Sequence, residues 1–227
     1  MLHRMKSGRN GRIHSRRRIL ALTAMAVAAT VIHAVNIQAD TTATWTGANS
    51  SSNSFWNDTA NWNPATVPIN GTPSGTTYDV IINVSVGSNS HADLSGFSPT
   101  IGNLVLATGD NIYNSGGTTE TLTIDPSTMG SPAGSVINGD IGSTGSQIVL
   151  NFGNGNASSV TSTISGALTG NLALIIDQPS GVVTLSNTSN TYTGGTTLTG
   201  GTLRASAKTT PCFYGPLAEF MGRGRMT

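Results

Sequence analysis

The sequence predicts an all-β protein built as a parallel β-helix, with a β-sandwich as the alternative. Short apolar runs rich in Val, Ile, Leu and Thr recur along the chain, and nearly every gap between them contains Gly, Asn, Ser or Pro. Compact runs such as Leu172–Ile176 suit strands in stacked parallel sheets, whereas a sandwich needs longer alternating strands. Outside the N-terminal segment, no stretch shows a helical period.

Residues 1–39 are predicted to be an export signal containing a helix. Seven of the eleven basic residues lie in Met1–Arg18, and the apolar stretch Ile19–Val35 follows them, which is the order of a secretory signal. We expect cleavage after Ala39. The arginines at 16–18 also resemble a twin-arginine signal, although a Sec signal is preferred. An uncleaved anchor is the third option, but a transmembrane helix typically needs ~20 apolar residues.

Residues 40–76 form a tryptophan-rich segment that we expect to cap the first coil. The three tryptophans of the protein, Trp45, Trp56 and Trp62, lie within 18 positions. The first coil of a solenoid has an open apolar end, which large aromatic side chains cover with few residues. The alternative is a carbohydrate-stacking platform made of the same three indoles. A cap requires buried indoles, whereas a platform requires coplanar faces open to solvent.

Residues 77–207 are predicted to form the β-helix repeats. Near the end of this region, the pairs Gly194-Gly195 and Gly200-Gly201 should supply the positive φ of tight turns between two very short strands. The other predicted strands are Tyr78–Val86, Ile101–Leu106, Thr121–Ile124, Gln147–Phe152, Val160–Ile164, Leu172–Ile176 and Val182–Leu185.

The segment 163–205 resembles the autotransporter-associated β-strand repeat of large bacterial surface proteins. The resemblance rests on Asn190–Thr197 (NTYTGGTT) and Gly201–Leu203, together with the upstream segments Ile164–Gly166 and Leu168–Gly170. It covers about a fifth of the chain. It implies a right-handed parallel β-helix in the passenger region of a secreted protein, and it implies no catalytic residues.

Residues 208–227 depart from this composition. They contain the single cysteine, Cys212, and the late basic residues Lys208, Arg223 and Arg225, and they lose the Thr-, Gly- and Asn-rich pattern. A single cysteine excludes an intramolecular disulfide. The abrupt change predicts an atypical tail on a truncated form of a longer passenger.

The distribution of charge argues against several functions. Between Ile19 and Leu203 there are nine carboxylates and no Lys or Arg, so no nucleic-acid binding is expected, because phosphate contacts need cations. A polysaccharide lyase would lack its basic side chain for the same reason. The carboxylates are scattered singly and predict no glycosidase pair. His91 and Asp93 fall in a stretch expected to be a solvated loop, so no metal, cofactor or catalytic residue is predicted.

The sequence therefore predicts a protein secreted or held at the bacterial cell surface, with a structural or adhesive role and no enzymatic activity. It should meet a membrane only through its signal segment. The alternative is a carbohydrate-binding module that uses the tryptophans, with a cell-surface or extracellular polysaccharide as its partner. An open coil end would expose unpaired strand edges, which also predicts end-to-end self-association.

Overall fold

Parallel strands stacked into a β-solenoid of about five turns make up the described part of the chain. The structure is a computed structural model that describes residues 41–49, 54–84, 91–126, 134–153, 159–205 and 225–226. The predicted signal at 1–39 and nearly all of the predicted tail at 208–227 lie outside these ranges. Within them, no helix has the length and apolar character needed to cross a membrane.

The strands are short at the start of the solenoid and longer towards its end. A single 3-10 turn, Thr59–Asn61, interrupts the cap segment. In chain order the strands are β1 Thr41–Trp45, β2 Trp62–Asn63, β3 Tyr78–Ile82, β4 His91–Asp93, β5 Thr100–Ile101, β6 Asn103–Leu106, β7 Asn111–Asn114, β8 Glu120–Ile124, β9 Val136–Ile137, β10 Asp140–Phe152, β11 Thr161–Ile164, β12 Leu168–Leu185, β13 Thr196–Ala205 and β14 Arg225–Met226.

These strands form three parallel stacks. The first stack contains β1, β3, β6, β9, β11, the ends of β12 and β13, and β14. The second contains β4, β7 and the starts of β10 and β12. The third contains β5, β8, the end of β10, the middle of β12 and the start of β13. The predicted parallel β-helix is confirmed, and the sandwich alternative is wrong because sandwich sheets are antiparallel.

The core consists of in-register columns of apolar side chains that point inward from each stack. Inward and outward positions alternate along each strand, as in β3. Because neighbouring turns pair in register, each inward side chain packs on its equivalents above and below. The longest column of the third stack is Ile101, Ile124, Phe152, Ile176 and Leu198. The column of the first stack is Trp45, Ile82, Leu106, Ile137, Ile164 and Leu185.

The late strands are longer than the sequence indicated. The runs Leu172–Ile176 and Val182–Leu185 belong to one strand, β12, which bends through two corners and pairs in all three stacks. The two very short strands expected between Thr196 and Leu203 are likewise a single strand, β13. Local apolar runs mark only the pieces that point inward, so the corners between them were predicted as breaks.

The two glycine pairs of this region provide both tight turns and close packing between turns. Gly195 and Gly201 have positive φ, at 82° and 89°. In the first pair the neighbour serves close packing: a Cβ at Gly194 would lie 2.6 Å from the carbonyl oxygen of Leu172 in the preceding turn. In the second pair Gly201 itself makes the close approach, since a Cβ there would lie 2.3 Å from the carbonyl oxygen of Gln178. Each pair therefore provides one left-handed corner and one close approach between turns.

The N-terminal edge of the first stack is closed by a change of direction. β2 pairs with the outer edge of β1 in antiparallel register, with Trp45 opposite Trp62. Every other strand pair in the described part of the chain is parallel. Where β2 pairs with it, at Thr44 and Trp45, the edge of β1 cannot accept a further parallel strand from another chain.

Candidate functional site

The three tryptophans lie inside the protein, on the first turn of the solenoid. Trp45, Trp56 and Trp62 are 1%, 0% and 3% exposed. Trp62 is central: its ring centroid lies 4.9 Å from that of Trp45 at an interplanar angle of 79°, and 4.9 Å from that of Trp56 at 62°. These edge-to-face contacts are a favourable packing geometry for aromatic rings.

Hydrogen bonds fix the cluster to the surrounding backbone. The indole N–H of Trp62 donates to the carbonyl of Trp56 at 2.7 Å, and that of Trp56 donates to the carbonyl of Pro68 at 3.3 Å. The indoles are neither coplanar nor open to solvent. Trp45, Trp56 and Trp62 therefore have the geometry of a cap, and the carbohydrate-stacking alternative fails because no indole face is free for a sugar ring.

His91 and Asp93 do not lie in a solvated loop, contrary to expectation. They begin and end β4, the first strand of the second stack, and Asp93 is only 2% exposed. A three-residue strand has too little pattern to be recognised in sequence, and it is held by its parallel neighbour β7 rather than by its own composition.

The carboxylate of Asp93 is part of a closed hydrogen-bond cluster. Its oxygens accept bonds from both the backbone N–H and the hydroxyl of Ser95 and of Ser115. Four donors compensate the desolvation of a buried carboxylate without any cation. Asp93 thus joins the turns that follow β4 and β7.

Glu120 has the same function one corner later. Its carboxylate accepts hydrogen bonds from the N–H of Gly96 and the hydroxyls of Ser98 and Thr118. Both buried acids are therefore engaged in holding adjacent turns together. In the described part of the chain, no group of three or more His, Cys, Asp or Glu side chains could hold a metal ion.

A shallow groove of ≈ 380 Å³ crosses the outer face of the second stack. Tyr113 forms one wall, and its ring packs edge-to-face against His91 with centroids 5.7 Å apart. Gly142 follows Tyr113 in register on the next turn, and the Thr169 side chain lies over it. The groove is lined by His91, Asn111, Ile112, Tyr113, Asp140, Gly142, Ser143, Thr144 and Thr169.

Sequence reasoning missed this groove and Tyr113 in particular. The signal available in the sequence was the alternation of Asn111–Asn114, which places Tyr113 outward if Ile112 is inward. Nothing local shows that Gly142 and Thr169 lie beneath it, because their proximity depends on the length of each intervening turn.

The surroundings of two other carboxylates shift their pKa values in opposite directions. Burial raises the pKa of Asp110, and the single hydrogen bond from the N–H of Val84 offsets this only in part. Hydrogen bonds from Asn49 and from the backbone N–H of Ala60 lower the pKa of Asp58. The two side chains should therefore change stability with pH in opposite senses.

We expect Asp110→Asn to be more stable than the wild type at about pH 7, with the advantage shrinking towards about pH 4. The free-energy cost of keeping Asp110 ionised in the folded protein is fully present above its raised folded pKa. This cost disappears below the pKa of the unfolded chain, about 3.9. Asp58→Asn should instead be less stable than the wild type at about pH 7 and approach it only below about pH 3.9, as the pH falls through the depressed folded pKa of Asp58. Urea unfolding measures this, with Asp110→Asn and the wild type compared at about pH 7 and pH 4, and Asp58→Asn and the wild type at about pH 7 and pH 2. Either variant would refute the expectation if its difference from the wild type were equal at its two pH values.

Comparisons with known proteins do not place the chain in a family. It matches no protein-family model, no curated protein and no solved structure.

Proposed function

We propose that the chain is an exported bacterial surface protein in which the solenoid serves as a rigid structural or adhesive element. The proposal combines the basic and apolar N-terminal segment with the resemblance of residues 163–205 to a passenger-type repeat. The observation that supports it most directly is the architecture: three parallel stacks around one continuous apolar core, closed at one end by the tryptophan cap. Such a body presents long, regular faces to a partner.

Two of the buried acids, Asp93 and Glu120, favour a structural role over a catalytic one. Asp93 and Glu120 are saturated by hydroxyl and amide donors from neighbouring turns, which suits carboxylates that hold a fold together. The residues most specific to the passenger-type resemblance also have structural contacts. Tyr192 is buried and its hydroxyl lies 2.7 Å from that of Thr196, while the Asn190 side chain accepts the N–H of Leu168. The proposal therefore assigns no enzymatic activity.

End-to-end self-association remains part of this proposal. At the N-terminal end β2 pairs with two residues of β1, and at the other end β14 pairs with two residues of β13. A second copy would have to stack on the parts of the terminal strands that these short strands leave uncovered.

Export can be tested with the full chain expressed with a C-terminal tag in a Gram-negative host. We expect an exported form that begins at Asp40 and is cleaved by protease added to intact cells. Replacing Arg16 and Arg17 by Lys should leave a Sec substrate exported, but it should stop a twin-arginine substrate. Recovery of the chain only in the cytoplasm, with Met1 or Leu2 at its N-terminus, would contradict the proposal. The measurements are cell fractionation and N-terminal sequencing.

A further inference from the structure

The groove on the second stack lies in a column of outward positions that runs along the solenoid. Phe55 is bridged to Asp93, which pairs with Tyr113, and this column continues through Gly142 to Thr169. Neighbouring strands are ~4.8 Å apart, so the five positions span about 19 Å. That length suits an extended chain lying along the axis better than a compact small molecule.

Two aromatic rings stand in this column. Phe55 is 40% exposed, and Tyr113 is partly exposed. The Tyr113 ring is held on two sides, because its hydroxyl lies 2.8 Å from that of Ser54 and its ring packs on His91. A ring that is already fixed loses little conformational entropy when a ligand stacks on it. The strand that carries Asp93 lies between the backbone positions of Phe55 and Tyr113.

Polar groups line the floor and the side of the groove. The Thr169 hydroxyl covers the floor at Gly142, where a Cβ would lie 2.2 Å from that oxygen. The parallel column beside it contains His91, Asn111 and Asp140. One Asp140 oxygen accepts the N–H of Ala167, which leaves the other for a ligand. Asn111 brings an amide donor and acceptor to the centre of this column.

The charge of the groove selects the class of ligand. No Lys or Arg occurs between Ile19 and Leu203, and Asp140 adds a carboxylate at the rim. An anionic polymer would meet repulsion and find no cation, whereas uncharged hydroxyl groups can bond to the amide, hydroxyl and carboxylate groups present. Aromatic rings flanked by such polar groups suit sugar rings, whose C–H faces are apolar and whose edges carry hydroxyls.

We propose that this groove binds a neutral, extended glycan along the solenoid axis, with one sugar ring stacked on Tyr113 and the chain extending towards Phe55. The inference gives the proposed adhesive role a ligand class, and it rests on that proposed function only for its biological setting. Binding itself depends on Tyr113 and Asn111.

The test is calorimetric titration of the purified chain with cellohexaose, xylohexaose and mannohexaose, and with hexagalacturonate as the anionic comparison. We expect at least one neutral hexasaccharide to bind and hexagalacturonate not to bind. Tyr113→Ala should weaken binding about tenfold or more, a change of about 1.4 kcal/mol. Tyr113→Phe keeps the ring and should stay within about threefold of the wild type. Asn111→Ala should also weaken binding, whereas Thr197→Ala on the third stack should not.

Circular dichroism and urea unfolding establish whether each variant is folded. If Tyr113→Ala is not folded, the binding of Asn111→Ala tests the groove instead. The inference is overturned if no neutral hexasaccharide binds, if hexagalacturonate binds equally well, or if the folded groove variants bind like the wild type. These results leave the export assay untouched, so failure of the groove and failure of the proposed function are separate outcomes.

Discussion

We expect Trp56→Ala to lower the free energy of unfolding by about 3–5 kcal/mol, the usual cost of truncating a large buried aromatic side chain. Trp56 is fully buried, packs on Trp62 and donates its indole N–H to Pro68. Truncation leaves a cavity at the end of the core and an unpaired carbonyl. Because the cap covers the first turn, the loss should also lower cooperativity, visible as a smaller denaturant slope.

Phe55→Ala is the matched control for this change in stability. Phe55 precedes Trp56 in the chain but is 40% exposed, so its truncation should change the unfolding free energy by no more than about 0.5 kcal/mol. Urea unfolding followed by circular dichroism measures both variants. Equal losses for the two substitutions would show that the cluster is not the closed end of the core.

The second large effect should come from a glycine at a corner between turns. A Cβ at Gly166 would lie 1.8 Å from the carbonyl oxygen of Gly139 in the preceding turn. The N–H of Gly166 also donates to the carbonyl of Ile137. Since the obstacle is backbone rather than a flexible side chain, the two turns must separate. We expect Gly166→Ala to cost about 3 kcal/mol, the upper end of the usual range for overpacking.

Gly117→Ala provides the control, since the new Cβ would meet nothing within 4 Å. Its φ does not lie in the left-handed region, so the substitution should be neutral or stabilise by up to about 1 kcal/mol through the unfolded state. Thermal and urea unfolding of both variants measure the contrast. A Gly166→Ala protein as stable as Gly117→Ala would mean that the turns pack less closely than described.

The fold could be predicted because the strands that build its core contain short apolar runs that recur along the sequence. Leu172–Ile176 is a compact apolar run and Gln147–Phe152 is rich in apolar residues, and each lies within a single strand, β12 and β10 respectively. Strands that depend on stacking were missed. β1 was assigned to the cap and β4 to a loop, because three to five residues carry little periodicity and are held by a parallel neighbour distant in sequence.

The candidate site could not be predicted for a related reason. The composition near Trp45, Trp56 and Trp62 favours a buried cap but also permits an exposed platform, and the packing against β3 and the antiparallel β2 distinguishes them. Predicting the groove requires still more information than predicting the tryptophan cluster. Tyr113, Gly142 and Thr169 become neighbours only when each intervening turn has its observed length, which no local pattern reveals.

The closed N-terminal end has a consequence for the order in which the protein is assembled. The cap is made of the first residues of the described chain, and each later turn pairs with the turn before it. A ribosome or an export channel releases the chain from the same end. Every newly released turn can therefore fold against a turn that is already folded, and folding can proceed turn by turn before the last residue is released. Pulled from its C-terminus, it should yield in the reverse order, one turn at a time, with the tryptophan cap the last part to give way.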